Sequence, residues 1–314
     1  MSTTQNYDAV IVGGGWAGST IAWKLGMAGK KVLILEAGIP FQSDNRESFV
    51  ETFLVATAKT PESPYTQNYN APRPSVLDIK QISDPPEPPV DCANPVVSID
   101  KGGYFIQQGP MPFGSTYERL AGVTSWHWLG TRLRLMPNDF KLYSTYGVGV
   151  DWPMTYNDLS TYYDEAEFEI GVSADVDEQQ IHGITFSPDY VYPMQRIPPS
   201  ILDQVLTEGL KNVSIDDNPL TVTGTPAGRN GVSNIMKDGQ PYNNGRRLCQ
   251  GNTNCTPICP IQAKYDATIT LNKALQTGNV DILYQTVASN ILIDTATGQV
   301  TGIEYKQYET KNGP

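Results

Sequence analysis

The chain of 314 residues has little of the two residue types that most often hold metals or staple folds, with two histidines and four cysteines. Four cysteines cannot frame a chain of this size, so a disulfide scaffold is excluded and an apolar core must carry the fold. Hydrophobic residues make up 39% of the sequence, enough for a sizeable core in one or two domains. There is no excess of base either. The 22 Lys and Arg face 33 Asp and Glu, a net charge of −11. That balance argues against nucleic acid as a partner and reads as a solvated acidic surface. No apolar run is long enough to cross a bilayer. The opening MSTTQNYDAVIVGGG lacks a charged segment followed by an apolar one, so no secretory signal is expected on this chain.

What is present begins with YDAVIVGGGWAGSTIAWKLGMAGKKVLILEAG over residues 7–38. Gly13-x-Gly15-x-x-Gly18 directly follows the apolar strand Ala9–Val12, and a second strand, Val32–Leu35, ends on Glu36. Strand, glycine turn, helix, strand and terminal acid together predict a dinucleotide-binding βαβ unit. The first glycine permits the tight turn, the second lets a pyrophosphate approach the backbone, and the third lets helix and strand pack closely. The helix N-terminus offers N–H donors and a positive dipole end to phosphates. Glu36 can accept from ribose hydroxyls and would repel a 2′-phosphate.

Two further stretches bear chemistry. In ERLAGVTSWHWLGTRLRLMPNDF (118–140), small residues at Ala121, Gly122, Thr124 and Ser125 precede Trp126-His127-Trp128. Small residues admit a flat ligand to the backbone and aromatics can wall it, whereas the bland alternative is a buried aromatic cluster with a satisfied histidine. In CQGNTNCTPICPIQA (249–263), the spacing is Cys249-x5-Cys255-x3-Cys259-Pro260. A disulfide would leave an odd thiol, and structural zinc wants a fourth ligand that the neighbourhood lacks. An iron–sulfur cluster takes thiolates from a Gly/Pro-rich loop of this kind, and three cysteines match 3Fe–4S better than a cubane with four. On residue types alone the three readings stay open.

Around these motifs, residues 40–118 read as a long excursion rich in Pro, Tyr, Ser and Asn, with DPPEPPVDCANPV (84–96) as a turn-rich loop. Helical spacing of Leu159, Tyr162, Tyr163, Ala166 and Ile170 predicts a helix over 155–171, capped by Asn157 or Asp158 and ending at Gly171. Residues 173–262 read as loop-rich, with His182 in a polar, solvated loop. A helix is expected over 265–278, and strands over 280–294 and 300–310 around the turn TATGQ. The organisation expected is a first dinucleotide-binding domain segment at 1–150, a second segment at 151–245, a cysteine loop at 246–262 and a return to the first domain at 263–314. Because KNGP follows a strand in mid-pattern, the chain is expected to be incomplete at its C-terminus.

VIVGGGWAGSTIAWKL followed by VLILEAG resembles the FAD-binding start of the glucose-methanol-choline (GMC) oxidoreductases. GVTSWHW, PNDFK, YGVGVDWP and CQGNTNCTPICPIQAKYDA match, in order, the FAD/3Fe–4S catalytic subunits of bacterial glucose, gluconate and fructose dehydrogenases within it. The resemblance covers nearly the whole chain. It implies an α/β fold, with a discontinuous Rossmann-like FAD-binding domain and a substrate-side α+β domain. It implies FAD contacts at Gly13, Gly15, Trp16, Ala17, Gly18, Glu36 and Ala37. It places Arg119, Gly122, Thr124, Ser125 and His127 beside the flavin ring, and the backbone of Val287 (in YQTVASNI) against the adenine. In sugar-oxidising relatives the histidine at the position of His127 carries the flavin covalently. Here Val123 replaces the motif's second glycine and Trp126 precedes the histidine, so the resemblance leaves the covalent bond open. It makes Cys249, Cys255 and Cys259 the ligands of a 3Fe–4S cluster.

The activity implied is oxidation of a CH–OH group of a sugar, sugar acid or polyol, with electrons leaving through the cluster to a multihaem cytochrome c subunit. A small export or chaperone subunit would take the chain to the periplasmic face of the inner membrane. The family's catalytic histidine lies near the end of longer chains, so no catalytic residue is assigned here. The alternatives are an inactive flavin- or cluster-binding fragment and an oxygen-using oxidase.

Overall fold

The computed structural model describes residues 6–43, 45–55, 119–126, 128–251, 255–256 and 258–309. In chain order, the elements begin with β1 (Ala9–Val12), α1 (Trp16–Met27), β2 (Val32–Leu35) and α2 (Arg46–Val55). There follow α3 (Leu142–Tyr146), α4 (Tyr156–Ile170), α5 (Val176–Gln180), α6 (Ile201–Leu210) and the short pair β3 (Ser214–Ile215) and β4 (Asn218–Pro219). The last are α7 (Thr268–Gln276), β5 (Val280–Leu283), β6 (Thr286–Ile293) and β7 (Val300–Gln307). Contacts divide the chain into two units. The first comprises Met1–Trp128, Thr253–Gln262 and Asp266–Pro314, and the second Leu129–Asn252 and Ala263–Tyr265.

In the first unit β1, β2 and β5 form a parallel sheet with β2 in the centre, Ala9 opposite Val32 and Val32 opposite Val280. A central parallel strand is covered on both faces, which suits an unbroken apolar run. VLIL obliges, with Val32, Ile34 and Leu35 buried. Ala22 of α1 and Leu271 and Ala274 of α7 pack with Val32, Ile34 and Val280 as one core. Each fully buried Val, Leu or Ile contributes about 1.5–3 kcal/mol. Gly26 lets α1 approach, because a Cβ there would meet Thr277 Oγ1 at 2.6 Å and Val280 Cγ2 at 2.8 Å. β6 and β7 form a separate antiparallel hairpin.

The second unit is organised by a buried cation. Arg134 donates from Nε to Glu167 Oε1 at 2.8 Å and from Nη2 to Glu167 Oε2 at 2.6 Å. It also reaches Asp164 at 2.7 Å and the hydroxyl of Tyr156 at 3.1 Å. Its guanidinium lies over the ring of Phe186, 4.5 Å from the centroid. Burial pushes the Tyr190 hydroxyl, which donates to Glu167, far above its ordinary range.

The sequence expectation and the structure part company at four places. Helix α4 is capped by Thr155, whose N–H and hydroxyl both donate to Asp158 Oδ2 at 2.8 Å, so Asp158 is the return partner rather than the cap. Its buried face carries Glu167 while Tyr162 stays 64% exposed, because the Arg134 pair admits an acid where spacing alone asks for an apolar residue. The stretch 280–294 is two strands, not one. Gln285 takes φ +56° between them, and β5 and β6 belong to different sheets. Helices α2, α5 and α6 stand in segments read as loop; the capping box of Ser200 with Asp203 was the signal for α6. The proline-rich loop 84–96 lies outside the described residues.

Candidate functional site

The glycine turn has the geometry that the spacing predicts. Gly13 takes φ +95°, with open space where its Cβ would be. Gly18 is the packing glycine, since a Cβ there would sit 2.0 Å from the carbonyl oxygen of Gly13. Gly15 is half-buried and caps α1 without a side chain, Ala17 is exposed, and no acid occupies the first turn. The start of α1 therefore carries the N–H donors and the positive dipole end that suit an anion, with no acidic residue in its first turn. Among the described residues, a Cβ on Gly15 would have only Val123 within 4 Å, at 3.5 Å.

Glu36 closes the turn from the side of β2. Its Oε2 accepts from Gly14 N and its Oε1 from Gly38 N, both at 2.5 Å, and the residue is 2% exposed. Burial pushes its carboxyl up, and the two amides pull it back less. Each oxygen keeps lone-pair capacity for a ribose hydroxyl. These residues fit a dinucleotide: amides for the pyrophosphate, open space at Gly13, and a fixed acid at the strand end.

Beyond Glu36 the chain makes a close backbone contact. A Cβ on Gly38 would meet the backbone of Leu120 at 2.6–2.7 Å and Ala121 N at 2.8 Å. Ile39 pairs with Leu120 in a parallel bridge, and Ala121 N donates to Ile39 O at 2.8 Å. Gly38, the glycine of Glu-Ala-Gly, thus brings the segment from Arg119 alongside the end of β2. Tyr308, after β7, donates its hydroxyl to Ala37 O, and Arg119 lies over the Tyr308 ring, 5.2 Å from its centroid. Tyr308 was not singled out from sequence, and Gly38 only as the end of Glu-Ala-Gly; its close approach joins residues 82 positions apart and leaves no local pattern.

In the 120–128 segment the residues divide. Thr124 is exposed, and Ser125 is buried, donating to Gly122 O and accepting Ala267 N at 2.9 Å. Trp126 is 1% exposed and packs with Phe49, Leu120 and Ile258, its Nε1 donating to Ala121 O at 2.7 Å. The bland reading holds for Trp126. Gly122 takes φ +96°, and a Cβ there would meet the Trp126 ring at 2.8 Å. Val123 takes φ +51°, the left-handed region, at the position of the motif's glycine. Trp128 meets Trp16, at the start of α1, edge to face at 4.6 Å. His127 lies outside the described residues. His182 is exposed, in keeping with its polar loop. Val287 is half-buried in β6, opposite Lys306 of β7.

Ile258 lies between Cys255 and Cys259 in the chain and shares the core of Trp126. Cys255 is buried and Cys259 half-buried, in the first unit; Cys249, half-buried, belongs to the second. Cys249 N donates to Asn230 O at 2.9 Å, and Gln262 N closes a turn on Cys259 O at 3.1 Å. Among the described residues no three His, Cys, Asp or Glu side chains form a group fit to hold a metal ion. Asn252, Thr253, Asn254 and Pro257 of this loop lie outside the described residues. No described helix is long and apolar enough to cross a membrane.

Residues 11–39 match the model of the NAD(P)-binding Rossmann-like domain. The chain is 34% identical over 279 residues to the fructose dehydrogenase large subunit of Gluconobacter japonicus, a match covering 88% of this chain and 44% of that protein. The chain thus spans less than half the length of this relative. Among solved structures it is similar to pyridoxine 4-oxidase from Mesorbium loti, at 15% identity and a TM-score of 0.47, covering 96% of this chain and 46% of that one. It is similar also to formate oxidase, at 15% identity and a TM-score of 0.46, covering 98% and 43%.

Proposed function

We propose that this chain, which belongs to the GMC oxidoreductase family, is the FAD-binding part of a dehydrogenase that oxidises a CH–OH group of a sugar, sugar acid or polyol. The observation that carries this reading is the Gly13–Gly18 turn locked to Glu36, in a chain 34% identical to a fructose dehydrogenase large subunit. The amides at the start of α1 hold the diphosphate, and Glu36 orients the adenosine ribose while disfavouring a 2′-phosphate. The backbone of Val287 lies against the adenine. Arg119, Gly122, Thr124, Ser125 and His127 belong to the segment beside the flavin ring, where Ser125 and Gly122 act by fixing the backbone rather than by touching the ligand. FAD, when bound, supplies hydride acceptance. No residue of this chain is assigned the removal of the hydroxyl proton.

We further propose Cys249, Cys255 and Cys259 as thiolate ligands of a 3Fe–4S cluster that passes electrons to a cytochrome c partner, on the strength of their spacing and of the proline after Cys259. An oxygen-using oxidase has no need of this loop. The domain roles follow: residues 1–150 and 263–314 serve the flavin, 151–245 the substrate side, and 246–262 the cluster. A partner subunit would carry the protein to the periplasmic face of the inner membrane.

The test is the absorbance spectrum of the purified full-length protein together with dye reduction by sugars. A flavin spectrum with a broad iron–sulfur shoulder, bleached by a sugar, is expected. A protein without flavin, or one bleached by nicotinamide cofactors alone, would refute the reading.

A further inference from the structure

A cavity of about 570 Å³ opens in the second unit, lined among others by Glu178, Arg196, Asp203, Thr223, Thr225 and Arg229. We propose that it binds a small hydroxylated carboxylate, held by the guanidinium of Arg229. The argument is one of commitments. Glu178 Oε1 pairs with Arg196 Nη1 at 2.9 Å, and its Oε2 accepts Gly224 N at 3.0 Å. Asp203 accepts from the N–H and hydroxyl of Ser200, at 2.7 and 2.8 Å, as part of the cap of α6. Both acids and one base of the wall are therefore occupied. Arg229 is not: its Nε is buried and finds no acceptor among the described residues.

A buried donor without an acceptor is costly to maintain, and a guanidinium fork matches a carboxylate in two parallel hydrogen bonds. The Arg229 stem is already held, since a Cβ on Gly130 would stand 3.0 Å from Arg229 Cγ and 3.5 Å from Cδ. Gly228, beside Arg229, donates its N–H to Gly130 O at 2.6 Å, fixing the two strands of backbone together. The site is thus ordered before a ligand arrives, which lowers the entropic cost of binding.

The charge of the wall selects the ligand. Glu178 and Asp203 balance Arg196 and Arg229, so a monoanion can be accommodated and a phosphate dianion would face two fixed carboxylates. Thr223 and Thr225 place hydroxyls in the same wall, donors and acceptors suited to the hydroxyl groups of a polyol chain. A carboxylate carrying several hydroxyls uses both features; a neutral sugar leaves Arg229 unanswered.

The probe is gluconate, titrated calorimetrically into the full-length, flavin-loaded protein, with glucose and inorganic phosphate as comparisons. Saturable gluconate binding is expected. It should weaken about tenfold or more in Arg229→Gln, in line with the loss of one charge-assisted bidentate contact. Arg229→Lys keeps the charge but not the fork, and should also weaken binding. Thr223→Val should weaken it less. Flavin content and melting temperature should be unchanged in all three variants, so that a loss of gluconate affinity is read apart from a loss of fold or of the flavin. Unchanged gluconate affinity in Arg229→Lys or Arg229→Gln would overturn the proposal. So would phosphate binding as tightly as gluconate, or an absence of saturable binding to the folded wild-type protein.

Discussion

The carboxylate of Glu36 accepts the backbone N–H of Gly14 at 2.5 Å, and its other oxygen accepts that of Gly38 at the same distance. One acid therefore fixes both the glycine turn and the bend after β2. Glu36→Gln keeps the shape but offers a single acceptor oxygen, so one buried amide loses its partner, at a cost of about 1–3 kcal/mol. We expect lower melting temperature and faster flavin release. A Glu36→Gln variant that retains flavin as wild type does would limit Glu36 to a structural role.

The same residue sets a pH dependence. Burial raises the folded-state pKa of Glu36 above its unfolded value. Its contribution to stability is then greatest at acid pH, below the unfolded value, and is lost as pH rises through the raised folded value. Stability curves of wild type and Glu36→Gln, measured across the acid range without flavin, should differ in that direction. A difference that grows in favour of wild type as pH rises would contradict it.

Val123 carries a β-branched side chain at φ +51°, a conformation that favours glycine. Both Val123→Ala and Val123→Gly lose the same half-buried methyl groups, but only glycine relieves the backbone. Glycine should therefore be the more stable of the two by about 1 kcal/mol, the reverse of the usual order. Denaturant midpoints decide it, and alanine equal to or above glycine would show that the turn carries no strain.

How much of this was legible beforehand follows from how local each cause is. The βαβ unit was read to the residue because its pattern is contiguous: Ala9–Val12, the three glycines, Val32–Leu35 and Glu36 all serve one short stretch of chain. Gly171 and Gly278, at φ +70° and +72°, were legible as helix ends for the same reason. The errors arise where a distant residue decides. Glu167 belongs to the buried face of α4 only because Arg134, 33 positions earlier, neutralises it. The break at Gln285 depends on Gly38 O accepting Gln285 N at 3.0 Å and Glu36 O accepting Thr286 N at 2.9 Å. The only local sign is a change of phase, apolar residues falling on even positions to Tyr284 and on odd ones from Val287, and a one-strand reading passes over it.

Arg134 and Glu167 are a buried pair, 1% and 0% exposed at their side chains. Removing one partner strands the other charge away from water, a loss of about 3–5 kcal/mol. Arg134→Met should unfold the second unit at far lower denaturant than wild type. The double variant Arg134→Met, Glu167→Leu should recover part of that loss, because the fully buried acid is gone and only the partly exposed Asp164 is left without its cation. If the double variant is no better than the single one, the stability lies in the ring contacts of Arg134 with Phe186 and Tyr190 rather than in the ion pair.

The cysteine loop gives the sharpest test of electron exit. Cys255 and Cys259 flank Ile258, which is fully buried in the cluster of Trp126, so that end of the loop is anchored beside the segment leading to His127. Cys255 is buried and Cys259 half-buried, an environment that shields thiolate ligands from solvent and oxidation. Cys249→Ser, Cys255→Ser or Cys259→Ser should each remove iron and acid-labile sulfide from the full-length protein and slow reduction of cytochrome c. Flavin content and sugar-dependent bleaching should survive, since they depend on the turn at Gly13–Gly18 and not on the loop. Cys92→Ser, far away in sequence, should keep its iron and serves as the control. Iron and sulfide analysis with low-temperature EPR of the oxidised protein measures all of this. Stoichiometric zinc, or iron that persists through all three substitutions, would remove these thiols from the electron path.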